Sequence, residues 1–256
     1  MVDLHCHILP GLDDGARTIE DSLAMAEDAI QDGITHVVAT PHASTEYKFD
    51  FAKVRAVREA LAERLDGRLA LATGCDFRLD HENLTLLKRD AAPYCINQKD
   101  YLLVEFNEFS IPPAMDQTLH ELQLMGLRPV ITHPERNGIL RSQPDRLLSW
   151  VRLGCSVQIT AGSLTGVFGL GPREDAWTWI RQGLVHFVSS DAHNTTRRPM
   201  KLRFAFESIA EEFGRTVAQG LLVDNPMAAF HGEPLPYVPE VAPTTERRKK
   251  KRFFFF

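Results

Sequence analysis

Two histidines near the start of the chain, His5 and His7, are separated by one residue at the end of a short apolar run. Because side chains alternate between the two faces of a β-strand, His5 and His7 point the same way and Cys6 points the other way. Two imidazoles on one face at a strand end form half of a binding site for a divalent metal ion. The same alternation predicts that Cys6 is not a ligand.

Ligand-type side chains recur at the ends of later predicted strands. Glu105 is the strongest single indication, because an unpaired carboxylate within the apolar run 102–106 would cost several kcal/mol. Of the predicted strands, only the sixth, residues 155–160, has no such residue at its end. The predicted metal ligands are His5, His7, His42, Asp76, Glu105, His133, Asp191 and His193, and Asp14 lies on the loop after the first strand.

A ligand set of this size predicts roughly two to three ions, because one divalent ion uses three or four protein ligands. Imidazole and carboxylate ligands without sulfur favour manganese, iron or zinc. Clustered ions lower the pKa of a bridging water, so we expect a metal-bridged hydroxide near neutral pH.

Arginines next to the predicted ligands indicate the charge of the substrate. Arg136 follows His133 by three residues, and Arg197 and Arg198 follow His193 closely. A guanidinium beside bound cations favours an anionic substrate, and its geometry matches phosphate. The pattern therefore favours hydrolysis of phosphate esters over hydrolysis of amides or amines.

The four cysteines exclude a thiol-based phosphatase and suggest the compartment. None of Cys6, Cys75, Cys95 and Cys155 has an arginine six positions later, the spacing that would hold phosphate above a thiolate. They form no C-x-x-C pair, and no secretory signal or 18-residue apolar run occurs. We therefore expect a reducing, cytoplasmic setting.

Seven predicted strands alternate with helices through short connections, which is typical of parallel βα units. Right-handed crossovers would curl such a series into an α/β barrel of seven strands over about residues 1–232. The carboxyl ends of the strands then meet at one mouth, which would bring the predicted ligands together.

Charge and composition change towards the C-terminus. The formal net charge is −5, and the run 246–252 is basic, so the rest of the chain carries about −10. An acidic body argues against nucleic-acid binding, which needs a basic face. Residues 233–256, which are proline-rich, basic and end in four phenylalanines, are predicted to form a disordered tail, or alternatively to make weak contact with a membrane surface.

The motifs resemble, in their order, those of the PHP (polymerase and histidinol phosphatase) superfamily. Within it, the opening DLHCHILPGLDDGA and the later TPH, THPER and SDAHN look like the manganese-dependent tyrosine-protein phosphatases of bacterial capsule and exopolysaccharide operons, the CpsB/CapC/YwqE type. The resemblance covers about residues 1–232. It implies a distorted seven-stranded barrel, a trinuclear metal site and dephosphorylation of a cognate tyrosine autokinase that controls polysaccharide export.

The resemblance also implies roles for individual residues. It matches Asp14 to an acidic residue that is a ligand or a general acid, and Arg136 and Arg198 to arginines that bind phosphate. Asp76 departs from the pattern, because the family usually has glutamate there, bridging two metals. The alternatives are a small-molecule phosphomonoesterase such as histidinol phosphatase, and a catalytically weakened scaffold protein in which Asp76 is the lesion.

Overall fold

Short apolar stretches of the sequence form strands that pair only in parallel within residues 1–242, the part of the chain that the computed structural model describes. The prediction of an α/β fold with parallel strands is confirmed. The strands are β1 Val2–Cys6, β2 His36–Ala39, β3 His42–Ala43, β4 Ala70–Thr73, β5 Asp76–Arg78, β6 Tyr101–Glu105, β7 Arg128–Thr132, β8 Ser156–Thr160 and β9 Phe187–Ser189.

Helices connect the strands and cover the sheets. The first begins at a capping box, in which Thr18 accepts a hydrogen bond from the Asp21 amide and Asp21 accepts one from the Thr18 amide, and it ends at Gly33. The α-helices are α1 Ile19–Asp32, α2 Phe51–Leu65, α3 His81–Leu87, α4 Met115–Leu124, α5 Gly138–Ser142, α6 Pro144–Arg152, α7 Ala161–Thr165, α8 Leu170–Arg181, α9 Arg203–Phe213, α10 Arg215–Gln219 and α11 Asn225–His231. Single turns of 3-10 helix occupy Ala92–Tyr94, Ile96–Gln98 and Pro134–Arg136, and a π-helical turn occupies Gly220–Asp224.

The strands form two parallel sheets, one of order β1-β2-β4 and the other of order β3-β5-β6-β7-β8-β9. Two short strands, β3 and β5, lie just beyond the ends of the predicted second and third strands. Residues 40–41 separate β2 from β3, and residues 74–75 separate β4 from β5. The first strand of each pair joins the three-stranded sheet and the second joins the six-stranded sheet, which accounts for nine strands where the sequence predicted seven.

Backbone hydrogen bonds connect the end of β1 to the segment after β9. The His7 amide donates to the Ala192 carbonyl over 2.8 Å, and the Asp191 amide donates to the His5 carbonyl over 2.8 Å. The first and last strands of the series are therefore held side by side at the end where the predicted ligands lie.

The alternation along β6 explains where Glu105 points. Leu102 and Val104 pack in the larger apolar cluster, whereas Tyr101 and Leu103 pack in a smaller cluster with residues from strands of both sheets. Because side chains repeat every second residue, Glu105 continues the row of Tyr101 and Leu103. That row leads from the smaller cluster to the predicted metal ligands.

Residues 233–242, which the sequence analysis assigned to a disordered tail, pack against the body of the protein. The Glu233 carbonyl accepts hydrogen bonds from Tyr101 and Arg128, and the Tyr237 amide donates to the Asn225 side chain. The expectation of disorder does not hold for these ten residues, because buried polar groups of the body bind their backbone. The basic run and the four phenylalanines lie outside the described residues.

Within residues 1–242, no helix combines the length and the apolar character that crossing a bilayer requires.

Candidate metal centre

The structure brings all eight predicted ligands and Asp14 together at the carboxyl ends of the strands. His5 lies on β1 and His7 just after it, and Asp14 lies on the loop that follows. His42 begins β3 just beyond the end of β2, Asp76 begins β5 just beyond the end of β4, and Glu105 ends β6. His133 follows β7, and Asp191 and His193 follow β9. Their nitrogen and oxygen atoms form four overlapping groups, within each of which the atoms lie within 4.8 Å of one another: His7, Asp14, His42 and His193; His5, His7 and Asp76; His5, His133 and Asp191; and His42, Asp76 and Glu105.

Hydrogen bonds on the far side of three imidazoles fix their tautomers. The Nδ1 atom of His5 faces the Gln158 Oε1 atom at 3.0 Å, and that of His7 faces the Asp13 carboxylate at 2.6 Å. The Nδ1 atom of His193 faces the Asp191 carbonyl at 3.0 Å. Each partner is an acceptor, so each Nδ1 carries the proton when the ring is neutral and each Nε2 presents a lone pair.

These lone pairs point at one another. The Nε2 atoms of His5 and His7 are 3.3 Å apart although neither has a proton to donate in the neutral tautomers. Two lone pairs directed at a common point are favourable only with a cation or proton between them.

The surroundings of the Asp76 side chain show whether a metal ion fits this site. Its side chain is fully buried, and its Oδ2 atom has no hydrogen-bond partner among the described residues. That oxygen lies 3.6 Å from His5 Nε2, 3.2 Å from His42 Nδ1 and 3.9 Å from His133 Nε2. A buried carboxylate oxygen surrounded by three imidazole nitrogens fits a site for a divalent cation.

Burial and neighbouring charges shift the pKa values of several candidate ligands. Burial, followed by the neighbouring Asp76 carboxylate, raises the pKa of Glu105 to about 7. Burial, followed by Arg136, lowers the pKa of His133 to about 4. Burial disfavours a charged His42, but the neighbouring carboxylates of Asp14 and Asp76 outweigh it and raise its pKa to about 11. A bound metal ion would displace the protons that His42 and Glu105 hold.

Two candidate ligands have strained backbones. Asp191 has a φ of 51° and His133 a φ of 33°, in the left-handed region that residues other than glycine rarely occupy. Such strain persists where the surrounding contacts maintain it, and it clusters at functional sites.

The loop after β1 approaches the site closely. A Cβ atom added at Gly15 would lie 2.1 Å from the His7 carbonyl oxygen, so no side chain fits at this position. The close approach places Asp13 against His7 and leaves Asp14 between His42 and His193, with its side chain 47% exposed.

Arg136 and Arg198 meet at the Asp191 carboxylate, and both donate hydrogen bonds to it. The Phe168 ring lies beneath them, with its centroid 4.3 Å from the Arg136 guanidinium carbon and 5.8 Å from that of Arg198. The sequence left Arg197 and Arg198 as alternatives from spacing alone. The structure places Arg198 in the cavity above the metal ligands and does not place Arg197 there.

The cavity has a volume of about 330 Å³. Its wall includes the predicted ligands other than His5 and His7, both arginines, and Arg78, which donates to Glu105 over 2.7 Å. Tyr47 stacks on the His42 ring, with 5.8 Å between the centroids, and forms part of the rim. The cavity therefore presents cationic side chains next to the candidate metal ligands.

The sequence did not reveal the residues that hold the candidate ligands and the two arginines in place. These are Asp13, Gln158, Arg78 and, beneath the arginines, Phe168. Gln158 is the one with a visible signal. It is the only amide in the otherwise apolar core of the sixth predicted strand, the strand that seemed to contribute nothing. The contacts of Asp13 and Phe168 depend on loop conformations that their spacing does not reveal.

Replacing Gln158 by leucine is expected to weaken metal binding by about 10- to 100-fold, because His5 loses the acceptor that fixes its tautomer. Titration of the metal-free protein with Mn²⁺ would measure the effect. Gln117→Leu on the exposed face of α4 is the control and should bind metal as the wild type does. Equal affinity in the Gln158 variant would contradict this role.

Comparison with known proteins identifies close relatives. The sequence profile of the family described as capsular polysaccharide synthesis, CpsB/CapC, matches residues 1–231. The chain is 39% identical to the tyrosine-protein phosphatase YwqE of Bacillus subtilis over 219 residues, which cover 84% of this chain and 85% of YwqE. It is 36% identical to the putative tyrosine-protein phosphatase CapC of Staphylococcus aureus over 210 residues, covering 80% of this chain and 82% of CapC.

Solved structures agree with these relatives. A chain from the crystal structures of YwqE from Bacillus subtilis and CpsB from Streptococcus pneumoniae, described as unique metal-dependent tyrosine phosphatases, superposes with a TM-score of 0.87 at 35% identity, covering 95% of this chain and 100% of that one. A β-aspartyl dipeptidase from Fervidobacterium islandicum superposes with a TM-score of 0.56 at 15% identity, covering 90% of this chain and 75% of that one, which shows a shared fold alone.

Proposed function

Since the chain belongs to the CpsB/CapC family of capsular polysaccharide synthesis, we propose that it is a metal-dependent protein-tyrosine phosphatase, a phosphoric monoester hydrolase that does not use cysteine. One observation carries the proposal. Four overlapping groups of candidate metal ligands adjoin a cavity that is also lined by two arginines whose guanidinium groups meet at Asp191. The names of the relatives support the same activity.

Arg136 and Arg198 are positioned to bind the phosphoryl oxygens and to stabilise the negative charge that shifts among them during transfer. Asp191 aligns the two guanidinium groups, and Phe168 supports both from below. When bound, divalent ions would lower the pKa of water and supply a nucleophile near neutral pH.

Asp14 is proposed as a ligand or as the general acid. Water adds to phosphorus, the bond from phosphorus to the phenolic oxygen breaks, and the phenolate takes a proton. With an unperturbed tyrosine pKa of about 10, the phenolate is a good leaving group that needs little assistance. The adjacent imidazoles of His193 and His42 hold the pKa of Asp14 well below its usual range, so a role as acid requires that bound metal compete for those imidazoles.

The thiols of the chain are unsuited to the alternative chemistry. All four cysteines are free and buried. Burial raises the pKa values of Cys95 and Cys155 to about 12 and raises those of Cys6 and Cys75 well above the ordinary value. The Cys6 thiol faces the Val38 carbonyl at 3.5 Å, away from the ligands. A nucleophilic thiolate is therefore not available.

We propose two to three Mn²⁺ ions as the cofactor, with iron or zinc as alternatives. The ligand groups are His- and carboxylate-rich and contain no sulfur, which supports these metals. The groups share His5, His7, His42 and Asp76, which favours ions lying side by side with bridging ligands. Their proposed ligands are the eight predicted residues.

We propose that the physiological substrate is a phosphotyrosine protein, a cognate tyrosine autokinase that acts in capsule or exopolysaccharide synthesis, in the cytoplasm. The family description and the names of YwqE and CapC support this. We propose that the catalytic unit comprises residues 1–232 and that its two sheets together form a distorted seven-stranded barrel. The backbone bonds between β1 and the segment after β9 support the barrel.

The test is hydrolysis of a phosphotyrosine peptide by the full chain. A chelator is expected to abolish activity, added Mn²⁺ to restore it, and iodoacetamide to leave it unchanged because the thiols are buried. Activity that iodoacetamide destroys would contradict the proposal. Faster turnover of histidinol phosphate than of the peptide would instead indicate a small-molecule phosphatase, and metal binding without any turnover would indicate a scaffold protein.

A further inference from the structure

A second cavity, of about 220 Å³, lies beside the metal centre. We call it the side pocket. Its wall is mostly apolar and includes Ala161, Val167, Phe168, Pro199 and Phe204. α7, the loop after it, the segment before α9 and the start of α9 supply these residues. Val167 is 57% exposed and Phe204 is 56% exposed, so two large apolar side chains stand open to solvent at one place.

The side pocket is continuous with the phosphate-binding arginines. Arg198 lines both the side pocket and the cavity above the metal ligands. Phe168 lines the side pocket and supports Arg136 and Arg198 through its ring face. A polypeptide whose phosphoryl group reaches the two arginines would therefore pass over the side pocket with a neighbouring residue.

Charge at the rim indicates the kind of polypeptide. Arg197 and Lys201 line the side pocket and are both exposed. No carboxylate of the described residues lines it. An apolar interior under a cationic rim complements an apolar side chain carried by an acidic segment.

We propose that the side pocket binds an aromatic side chain of the substrate polypeptide close in sequence to the phosphotyrosine, with acidic residues of that polypeptide at the Arg197 and Lys201 rim. This rests on the proposed phosphatase function and adds a specificity determinant to it. An aromatic side chain buries a large apolar area and has few rotatable bonds, so little conformational entropy is lost when it binds. Its ring can pack against Phe204 and the edge of Phe168.

The experiment uses acidic phosphotyrosine peptides in which a single phenylalanine is moved from four residues before the phosphotyrosine to four residues after it, with alanine at the other positions. At one or two positions, phenylalanine is expected to raise kcat/KM about tenfold, which corresponds to roughly 1.4 kcal/mol. Phe204→Ala and Val167→Ala are expected to remove most of that gain. Both should leave turnover of p-nitrophenyl phosphate unchanged, because this small substrate cannot reach the side pocket.

Phe109→Ala is the matched control. Phe109 is 91% exposed on the loop after β6 and does not line the side pocket, so this variant should keep the preference for phenylalanine. No gain at any position, or a gain that both side-pocket variants keep, would overturn the proposal. A wild-type protein that turns over neither p-nitrophenyl phosphate nor any peptide would instead refute the proposed function.

Two other occupants would give different results, and either would overturn the proposal. A preference that appears only after phenylalanines 253–256 are changed to alanine would assign the side pocket to the chain's own C-terminus. A dimer in solution that Phe204→Ala dissociates would assign it to a second copy of the chain.

Discussion

Replacing Asp191 by asparagine is expected to lower kcat/KM for a phosphotyrosine peptide by about 10³-fold or more. Its carboxylate accepts hydrogen bonds from Arg136 and Arg198, the two arginines proposed to bind phosphate, and its Oδ1 atom lies 3.4 Å from the Nε2 atoms of both His5 and His7. Asparagine is close in shape and tolerates a left-handed backbone, so the substitution removes the charge with little change in the fold.

Steady-state kinetics and the metal content of the purified variant would measure the effect. The expected variant is folded, poor in metal and nearly inactive. Asp175→Asn is the control, because Asp175 also binds an arginine, Arg141, over 2.6 Å but lies away from the metal centre. An Asp191 variant with full metal content and activity within tenfold of wild type would show that this carboxylate is neither a ligand nor an anchor for the arginines.

The second large expected effect is a loss of stability at acid pH, caused by a histidine outside the candidate metal centre. His186 is buried, and its Nδ1 atom accepts a hydrogen bond from the Val157 amide over 3.2 Å. Burial lowers its pKa from 6.5 to about 4. Between pH 6.5 and pH 4, the unfolded chain binds a proton at His186 and the folded chain does not. The contribution of His186 to the free energy of unfolding is therefore fully present above pH 6.5 and is lost as the pH falls towards 4.

Between pH 7.5 and pH 4.5 this one group should reduce the free energy of unfolding by about 2 to 3 kcal/mol. The asparagine of His186→Asn keeps an acceptor near the Nδ1 position but does not titrate. Over the same pH range, the free energy of unfolding of this variant should therefore fall by that much less than the free energy of unfolding of the wild type. Urea unfolding of both proteins at the two pH values, in the presence of a chelator, would measure the difference. His120→Asn, on the exposed side of α4, is the control, and equal pH dependence in the wild type and the His186 variant would contradict the argument.

The sequence predicted most of the residues at the metal centre because of a regularity of parallel α/β folds. His42, Asp76 and Glu105 each lie at or just beyond a strand end, and such ends converge whatever the intervening helices are. The alternation along β1 also predicted that Cys6 would point away from His5 and His7. These predictions required only the alternation of side chains along a strand and the direction in which each strand runs.

The supporting contacts could not be predicted in the same way. Asp13 and Asp14 are adjacent in sequence, yet one orients His7 and the other lies between His42 and His193, and only the turn at Gly15 decides which does which. The position of Phe168 under two arginines arises from a loop packed against two separate segments. Long-range packing also explains why residues 233–242, which are proline-rich, are held in place by Tyr101 and Asn225.

The backbone bonds that join β1 to the segment after β9 have a consequence for how the protein is made. The first candidate ligand is His5 and the last is His193, so a nascent chain lacks part of the candidate ligand set until residue 193 has been synthesised. Ions bound there would join the first and last strands of the series and would stabilise the completed fold by mass action. Any proteolytic fragment without residues 5–7 or without residues 191–193 would lose that link and the proposed catalytic centre together.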